Sequence, residues 1–289
     1  MYDEMAQLLD DVSNKVDFWT DHTQWKFEAG SPAADEVANV EVKLDGSPWG
    51  DFPVRTAYQT GQMHTMFTVE MARCIAQLLR GYRAAVGVEV LTRASLEAAS
   101  AVWWLFEPDL TARQRVCRMQ LLQRKSALEM ERVSVAIGED PSGEDLKAVE
   151  SVENYGHTLG LDPFRSDGKE LEGESLPSYS TRVKKFTEEM GFEGAYNIYS
   201  AVAHAELAGV WRLLQKDANR PDGEVLYTAG PNPRLTFSAV QGALKAMMGP
   251  MERIVHLFGW TAPGWSEDVG QLIDYINAEM KRLRLGMGS

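Results

Sequence analysis

The segment AAVGVEVLTRASLEAASAVWWLF, residues 84–106, determines the fold class that the sequence predicts. Its only charged side chains are Glu89, Arg93 and Glu97, and nearly every other residue is small or apolar. A helix that is apolar on almost every side is normally buried. The segment therefore predicts a central helix that other helices enclose.

The three charged residues of this segment are four positions apart, so they lie on one face of the helix. Arg93 can pair with either Glu89 or Glu97 across one turn. Such pairing is needed because moving an isolated charge out of water costs several kcal/mol of desolvation free energy. Two interpretations follow: a buried Glu-Arg-Glu network that sets the helix register, or an internal polar pocket lined by Arg93 and Glu97.

The same three- and four-residue spacing of apolar side chains recurs along most of the chain. A break at 106–109 is followed by Thr111, whose side chain suits a helix N-cap. The Gly- and Pro-rich stretch 29–56 predicts an irregular arm, with a weak strand pattern at 40–44. The predicted helices are one over 5–27, three between 58 and 137, two near 143–157 and 178–190, and three over 194–216, 235–259 and 266–284.

We therefore expect an all-α protein, built as a bundle of about eight helices. Residues 1–57 are expected to form the N-terminal helix and the irregular arm. Residues 58–289 are expected to form the helical bundle domain, which includes an acidic, solvated insertion at 138–193.

The composition is that of a folded globular protein, with 44% hydrophobic and 25% charged residues in a chain of 289. The net charge of −13 disfavours general attraction to nucleic acid or to anionic membranes. Residues 1–57 carry 12 acidic against 4 basic side chains, and residues 136–193 carry 14 against 6. Residues 58–135 carry 10 basic against 7 acidic side chains. The pattern fits acidic loops that aid solubility, and it also fits a mildly basic body that receives an anion.

Metal, cofactor and membrane motifs are absent from the sequence. Cys74 and Cys117 show no metal-ligand spacing, and the histidines are scattered, so we expect no metal, no cofactor and no disulfide. The motifs GxGxxG, GxxxxGK[ST], HExxH and GxSxG do not occur. The N-terminus lacks the features of a signal peptide, and no run approaches the ~18 apolar residues of a membrane span. We expect a cytoplasmic protein.

A second informative segment is YNIYSAVAH, residues 196–204. Tyr196, Ser200 and His204 recur every four residues and share one face of the predicted helix, while Asn197 lies on an adjacent face. His204 is either a hydrogen-bonded core imidazole or a group used for acid/base chemistry or anion contact.

A third segment, residues 111–135, is rich in basic side chains. Arg118, Lys125 and Arg132 are seven positions apart and form a basic stripe. The stripe is typical of a solvated helix face, and the alternative is a set of phosphate contacts.

The R-x-x-x-E helix (Arg93 to Glu97), its Trp-rich end and the later Y-x-x-x-S-x-x-x-H helix resemble a group of actinobacterial helical proteins. That group is similar to the HEPN superfamily, and the resemblance covers about residues 58–216. HEPN proteins include metal-independent RNases of toxin and antiviral systems. In these RNases an Arg and a His from an R-x(4–6)-H motif meet at a dimer interface, so the resemblance implies a homodimer.

The resemblance implies an RNase in which His204 is the general acid/base. No arginine stands five to seven residues before His204, so the arginine would be Arg93 or Arg118. Glu97 would orient that arginine. The substrate would be RNA or a nucleotide-like ligand, and the residues expected to position it are Ser200, Tyr196, Asn197 and Arg118. The alternative is a non-catalytic bundle that binds a small anionic or nucleotide-like ligand or a protein partner.

Overall fold

The computed structural model describes residues 2–81, 86–138, 147–161, 163–165, 167–206, 209, 213–216, 227–229, 232–260, 274, 278 and 282. These residues are predominantly helical, which confirms the all-α prediction. The helices are α1 (Tyr2–Thr23), α2 (Pro32–Val37), α3 (Phe52–Gly81), α4 (Gly87–Leu105), α5 (Ala112–Ala136), α6 (Ala148–Thr158), α7 (Tyr179–Glu189), α8 (Ala195–Ala203) and α9 (Pro233–Phe258). Two antiparallel hairpins pair β1 (Glu170–Leu171) with β2 (Glu174–Ser175), and β3 (Leu214–Lys216) with β4 (Tyr227–Ala229).

Helix α4 is the central helix, as its apolar sequence predicts. It packs against α3, α9, α7 and α8. Its side chains are buried on several faces, among them Val88, Leu96, Ala99 and Val102. The helix ends at Leu105, where the sequence predicts a break. The side chain and backbone of Thr111 then form a capping box with Gln114, so α5 begins where its N-cap predicts.

Arginine side chains cap the C-terminal end of α4. Arg115, Arg118 and Arg253 donate to the backbone carbonyls of residues 105, 104 and 103, the first two at 2.6 Å. The last carbonyls of a helix have no intrahelical partner, and cations also favour this end of the helix dipole. Helices α5 and α9 are thereby held at the end of α4.

The N-terminal helix and the arm belong to the same hydrophobic core as the bundle, because one cluster of buried side chains extends from Tyr2 to Trp260. The arm contains α2, which the sequence analysis did not predict. Ser31 caps it by accepting a hydrogen bond from the backbone of Ala34 at 3.2 Å, and Pro32 occupies its first turn. The weak strand pattern at 40–44 corresponds only to an isolated bridge between Val42 and Pro48.

The insertion packs on α5 and is less solvated than the sequence predicts. Leu159, Leu161 and Leu171 are buried in the core cluster. Acidic residues of the insertion and the arm neutralise the arginines of α5 through the pairs Arg113–Glu172, Arg113–Glu41, Arg115–Glu36, Arg118–Glu174 and Arg124–Glu153. The predicted basic stripe is therefore not one continuous exposed face. Arg118 is buried, whereas the side chain of Arg132 is 71% exposed.

The prediction of one helix over 194–216 is wrong. Helix α8 ends at Ala203, and the backbone N–H groups of Ala205 and Glu206 turn back to the carbonyls of residues 202 and 201 at 3.0 and 2.8 Å. This is a Schellman motif, with Ala205 at the left-handed position (φ 52°) that glycine usually takes. Because that glycine is missing, the sequence carries no stop signal here.

The helices predicted near 178–190 and over 235–259 correspond to α7 and α9. The helix predicted over 266–284 lies outside the described residues, except for Asp274, Ala278 and Arg282, which are helical and exposed. None of the described helices has the length and hydropathy that crossing a lipid bilayer requires. Cys74 and Cys117 both carry free thiols.

The pair Arg115–Glu36 joins the arm to the bundle. The Arg115 side chain is fully buried, and its Nε and Nη2 donate to the two oxygens of Glu36 at 2.7 and 2.8 Å. The guanidinium carbon also lies 5.0 Å from the centroid of the Tyr58 ring. Removal of one partner from such a pair leaves an uncompensated buried charge.

The substitution Glu36→Gln is therefore expected to lower the free energy of unfolding by about 3 kcal/mol or more. The matched control is Asp51→Asn, which removes the exposed pair Arg55–Asp51 and is expected to cost less than about 1 kcal/mol. Urea denaturation of both variants measures the difference. Equal losses in the two variants would contradict a special role for the buried pair.

Candidate functional site

Arg93 lies on α4 at the boundary between core and solvent, with 21% of its side chain exposed. Its Nε donates to Glu97 Oε1 at 2.9 Å across one helical turn. This is one of the two pairings that the spacing of the sequence allows. The bond fixes the plane of the guanidinium relative to α4.

His204 contacts the same guanidinium, because Arg93 Nη1 lies 2.9 Å from His204 Nε2. A guanidinium has donors and no acceptor, so Nε2 must accept the hydrogen bond. The contact joins residues 111 positions apart in sequence, and both belong to one chain.

The end of α8 places the imidazole at this point. His204 is the C-cap residue of α8, and its backbone N–H still bonds to the carbonyl of Ser200 at 3.0 Å. Because the chain turns away at Ala205, the His204 side chain is exposed at the helix end, facing Arg93 of α4. The local helix termination is therefore part of the geometry of the site.

Tyr196 completes the cluster from the same helix. Its hydroxyl donates to Glu97 Oε1 at 2.9 Å, and its ring centroid lies 5.9 Å from the Arg93 guanidinium carbon. Partial burial and the hydrogen bond to Glu97 both raise the pKa of Tyr196, so the hydroxyl keeps its proton. Glu97 Oε1 thus accepts from two donors and holds Arg93 in place.

The charge state of Arg93 follows from these contacts. Partial burial alone disfavours the cation, but the hydrogen bond to Glu97, the charge of Glu97 and the nearby Tyr196 outweigh it and raise the pKa of Arg93. The cluster thus contains a guanidinium, a carboxylate, a phenol and an imidazole. We name these four residues, Arg93, Glu97, Tyr196 and His204, the Arg93 cluster.

Three other predicted site residues lie in different positions. Ser200 is half-buried on α8 between Tyr196 and His204, and Asn197 is exposed on the adjacent face. Arg118 is not brought to this cluster. Its guanidinium is taken by Glu107 at 2.7 Å and Glu174 at 2.6 Å, and by the end of α4.

Glu89 does not join the network that the sequence suggests. It is 1% exposed, and neither carboxylate oxygen has a hydrogen-bond partner within the described part of the chain. Arg93 turns to Glu97 and His204 instead, so the predicted Glu-Arg-Glu network is only half formed. Desolvation raises the pKa of Glu89 to about 7.

Arg182 is a residue near the site that the sequence analysis missed. It lies on α7, is 5% exposed, and its charge interacts with Glu97 and Tyr196. A signal for its burial was present, because residues 182, 183, 186 and 187 follow the three-four spacing and are all buried.

No group of three or more His, Cys, Asp or Glu side chains that could hold a metal ion occurs among the described residues. A cavity of about 580 Å³ opens between the arm and α6, lined in part by Trp49, Phe52 and Tyr155. It shares no lining residue with the Arg93 cluster.

Comparisons of the whole chain with protein-family models, with curated proteins and with solved structures find no match in any of the three.

The raised pKa of Glu89 predicts a specific pH dependence of stability. The ordinary value of 4.5 applies to the unfolded chain, and the folded value is about 7. The folded state therefore keeps a proton that the unfolded state releases, and stability falls as the pH rises from 4.5 through 7. The shift corresponds to a loss on the order of 3 kcal/mol by pH 8.

The substitution Glu89→Gln is expected to remove this loss. Urea denaturation of wild type and variant at pH 4.5 and pH 8 isolates the contribution, because other titrating groups cancel in the comparison. The variant should gain on the order of 3 kcal/mol relative to wild type between these pH values. Parallel stability curves would show that Glu89 is not desolvated as described.

Proposed function

We propose that the Arg93 cluster binds a phosphate of RNA and that the protein is a metal-independent RNase. The observation that carries the proposal is the 2.9 Å contact between Arg93 Nη1 and His204 Nε2. It unites within one chain the two groups that this chemistry requires, a cation for the phosphate and an imidazole that accepts a proton.

Phosphate binding follows from the orientation of Arg93. Glu97 holds the Nε side of the guanidinium, so Nη1 and Nη2 remain for an incoming oxyanion. A guanidinium binds phosphate oxygens through paired, charge-assisted hydrogen bonds. A phosphate oxygen that takes Nη1 also displaces His204 Nε2 from it. Binding therefore frees the lone pair of the imidazole beside the bound phosphate.

The proposed reaction is attack of the ribose 2′-oxygen on the adjacent phosphorus. His204 Nε2 takes the 2′-hydroxyl proton as the new P–O bond forms. The bond from phosphorus to the 5′-oxygen breaks, a 2′,3′-cyclic phosphate forms, and the leaving oxygen takes a proton from water. Arg93 stabilises the extra negative charge on phosphorus oxygens in the transition state. Glu97 and Tyr196 act by holding Arg93.

The charge distribution favours a short RNA segment as the substrate. The arginines of α5, which alone would offer a track for a polyanion, are paired with glutamates of the insertion and arm. The outer surface is acidic, since the chain carries a net charge of −13. An extended duplex is repelled by such a surface, whereas a single-stranded segment needs contacts only at the site.

The pairing of the α5 arginines with glutamates also favours a second candidate function, which is binding of a small nucleotide-like ligand without turnover. A small ligand needs only the local cation and the neighbouring Tyr196 ring. A homodimer, a role in toxin or antiviral defence and a cytoplasmic location belong to the same proposal as consequences of the resemblance and the composition. The Arg93 cluster itself needs residues of only one chain.

Purified protein is expected to cleave single-stranded RNA in the presence of EDTA. His204→Ala and Arg93→Ala should each lower the rate by at least about 100-fold, because each removes acid/base or electrostatic catalysis. The cleaved 5′ fragments should end in 2′,3′-cyclic phosphate. The assay is denaturing electrophoresis of end-labelled RNA, with mass spectrometry of the products.

The matched control is Arg132→Ala, which removes an exposed arginine of α5 and should leave the rate unchanged. Folded wild-type protein that leaves RNA intact would exclude the RNase. Ligand-dependent thermal stabilisation that Arg93→Ala abolishes would then support the binding function.

A further inference from the structure

Arg182 is a buried cation, two of whose donor atoms lack an acceptor among the described residues. It is 5% exposed on α7, which packs against α4. Its Nε and Nη1 have no hydrogen-bond partner within the described part of the chain. Leaving the buried donors of a charged group unpaired costs free energy of folding, which a bound anion would recover.

Two other buried arginines, Arg115 and Arg118, have the kinds of hydrogen-bond acceptor that Arg182 lacks among the described residues. Arg115 pairs with Glu36 at 2.7 Å, and Arg118 pairs with Glu107 and Glu174. Both also donate to backbone carbonyls at the end of α4. Arg182 has neither kind of partner among the described residues. Among the described residues, carboxylates therefore pair with Arg115 and Arg118 but not with Arg182.

Aromatic rings and a second cation lie close to Arg182. Its guanidinium carbon lies 4.9 Å from the Tyr179 ring centroid and 6.0 Å from that of Trp104. The ammonium of Lys125 lies 4.7 Å from the same Tyr179 ring. Arg182 is also the fourth residue of α7, close to the positive end of the helix dipole. Ring contacts offset only part of the desolvation cost, which lowers the pKa of Arg182.

Arg182 lies beside the same face of α4 as the Arg93 cluster. Arg93, Glu97 and Trp104 follow each other at helical spacing along that face. Arg182 contacts the Trp104 ring, and its charge interacts with Glu97 and with Tyr196. Glu97 is already engaged by two donors at Oε1. An anion bound beside Arg182 would thus supply the missing partner next to the proposed phosphate site.

We propose that Arg182 binds a second phosphate group of the ligand whose first phosphate is held by Arg93. The proposal rests on the proposed function only in assigning the first phosphate to Arg93. The second phosphate is the neighbouring phosphate of an RNA chain or the second phosphate of a small diphosphate. Tyr179, which is 42% exposed, covers the guanidinium, and its ring must turn aside to admit the phosphate.

The test is the binding of pyrophosphate and of inorganic phosphate, measured by thermal shift at constant ionic strength. Arg182→Met replaces an unpaired buried cation by an apolar side chain of similar length. It should raise the melting temperature of the ligand-free protein and weaken pyrophosphate binding at least about tenfold. Phosphate binding should change much less, because Arg93 remains. Arg182→Lys keeps the charge and should bind pyrophosphate with intermediate affinity.

The matched control is Arg124→Met. Arg124 also stacks on an aromatic ring, Phe164 at 5.3 Å, but it pairs with Glu153. This variant should melt at a lower temperature and bind pyrophosphate like wild type. If Arg182→Met behaves in the same way, Arg182 is structural and the proposal is overturned. Wild-type protein that binds pyrophosphate no better than phosphate overturns it as well.

The RNA cleavage assay separates this proposal from the RNase. If the protein cleaves RNA but its pyrophosphate binding does not depend on Arg182, the second phosphate site is overturned and the RNase proposal stands. Pyrophosphate binding that depends on Arg182, without RNA cleavage, overturns the RNase and keeps the site. If the second phosphate is that of an RNA chain, wild-type protein should bind a trinucleotide more tightly than a dinucleoside monophosphate. Arg182→Met should bind these two ligands with equal affinity.

Discussion

The arginine caps at the end of α4 hold most of this structure together. Three guanidinium groups donate to the carbonyls of residues 103–105, where an enclosed helix has no water to satisfy them. Each cation then needs an anion, and Glu36, Glu174 and Glu189 supply it from α2, β2 and α7. One requirement of backbone hydrogen bonding thus fixes the arm, the insertion and α9 around the same helix end.

This arrangement gives the acidic segments a structural role. Residues 1–57 and 136–193 carry 26 of the 42 acidic side chains of the chain, and some of these pair with the arginines of α5. Solubility alone does not explain that pattern, because the pairs are specific and several are buried. The same pairing leaves few free cations on this side of the bundle. The proposed anion site lies where, among the described residues, arginines lack a full set of carboxylate partners.

Charged side chains are incompletely paired along the face of α4 that carries Arg93 and Glu97. Arg93 shares its single carboxylate partner with Tyr196, and Arg182 has no acceptor among the described residues. Glu89, one turn from Arg93 on the other side, is kept apart and desolvated. The enclosure of α4 therefore separates charges that could have neutralised each other. Preorganised, incompletely paired charge of this kind is a physical basis for ligand binding and catalysis.

The sequence by itself determined the helical class, the burial of α4, the start of α5 at Thr111 and the helical face shared by Arg93 and Glu97. These are properties of local periodicity and capping, which neighbouring residues decide. Only the tertiary structure decided that α8 ends at Ala203, that Arg93 meets His204 rather than Glu89, and that Arg118 pairs with glutamates. The hydrogen-bond partner of a side chain depends on which groups other elements place within about 3 Å of it, and a local sequence pattern contains no information about those groups.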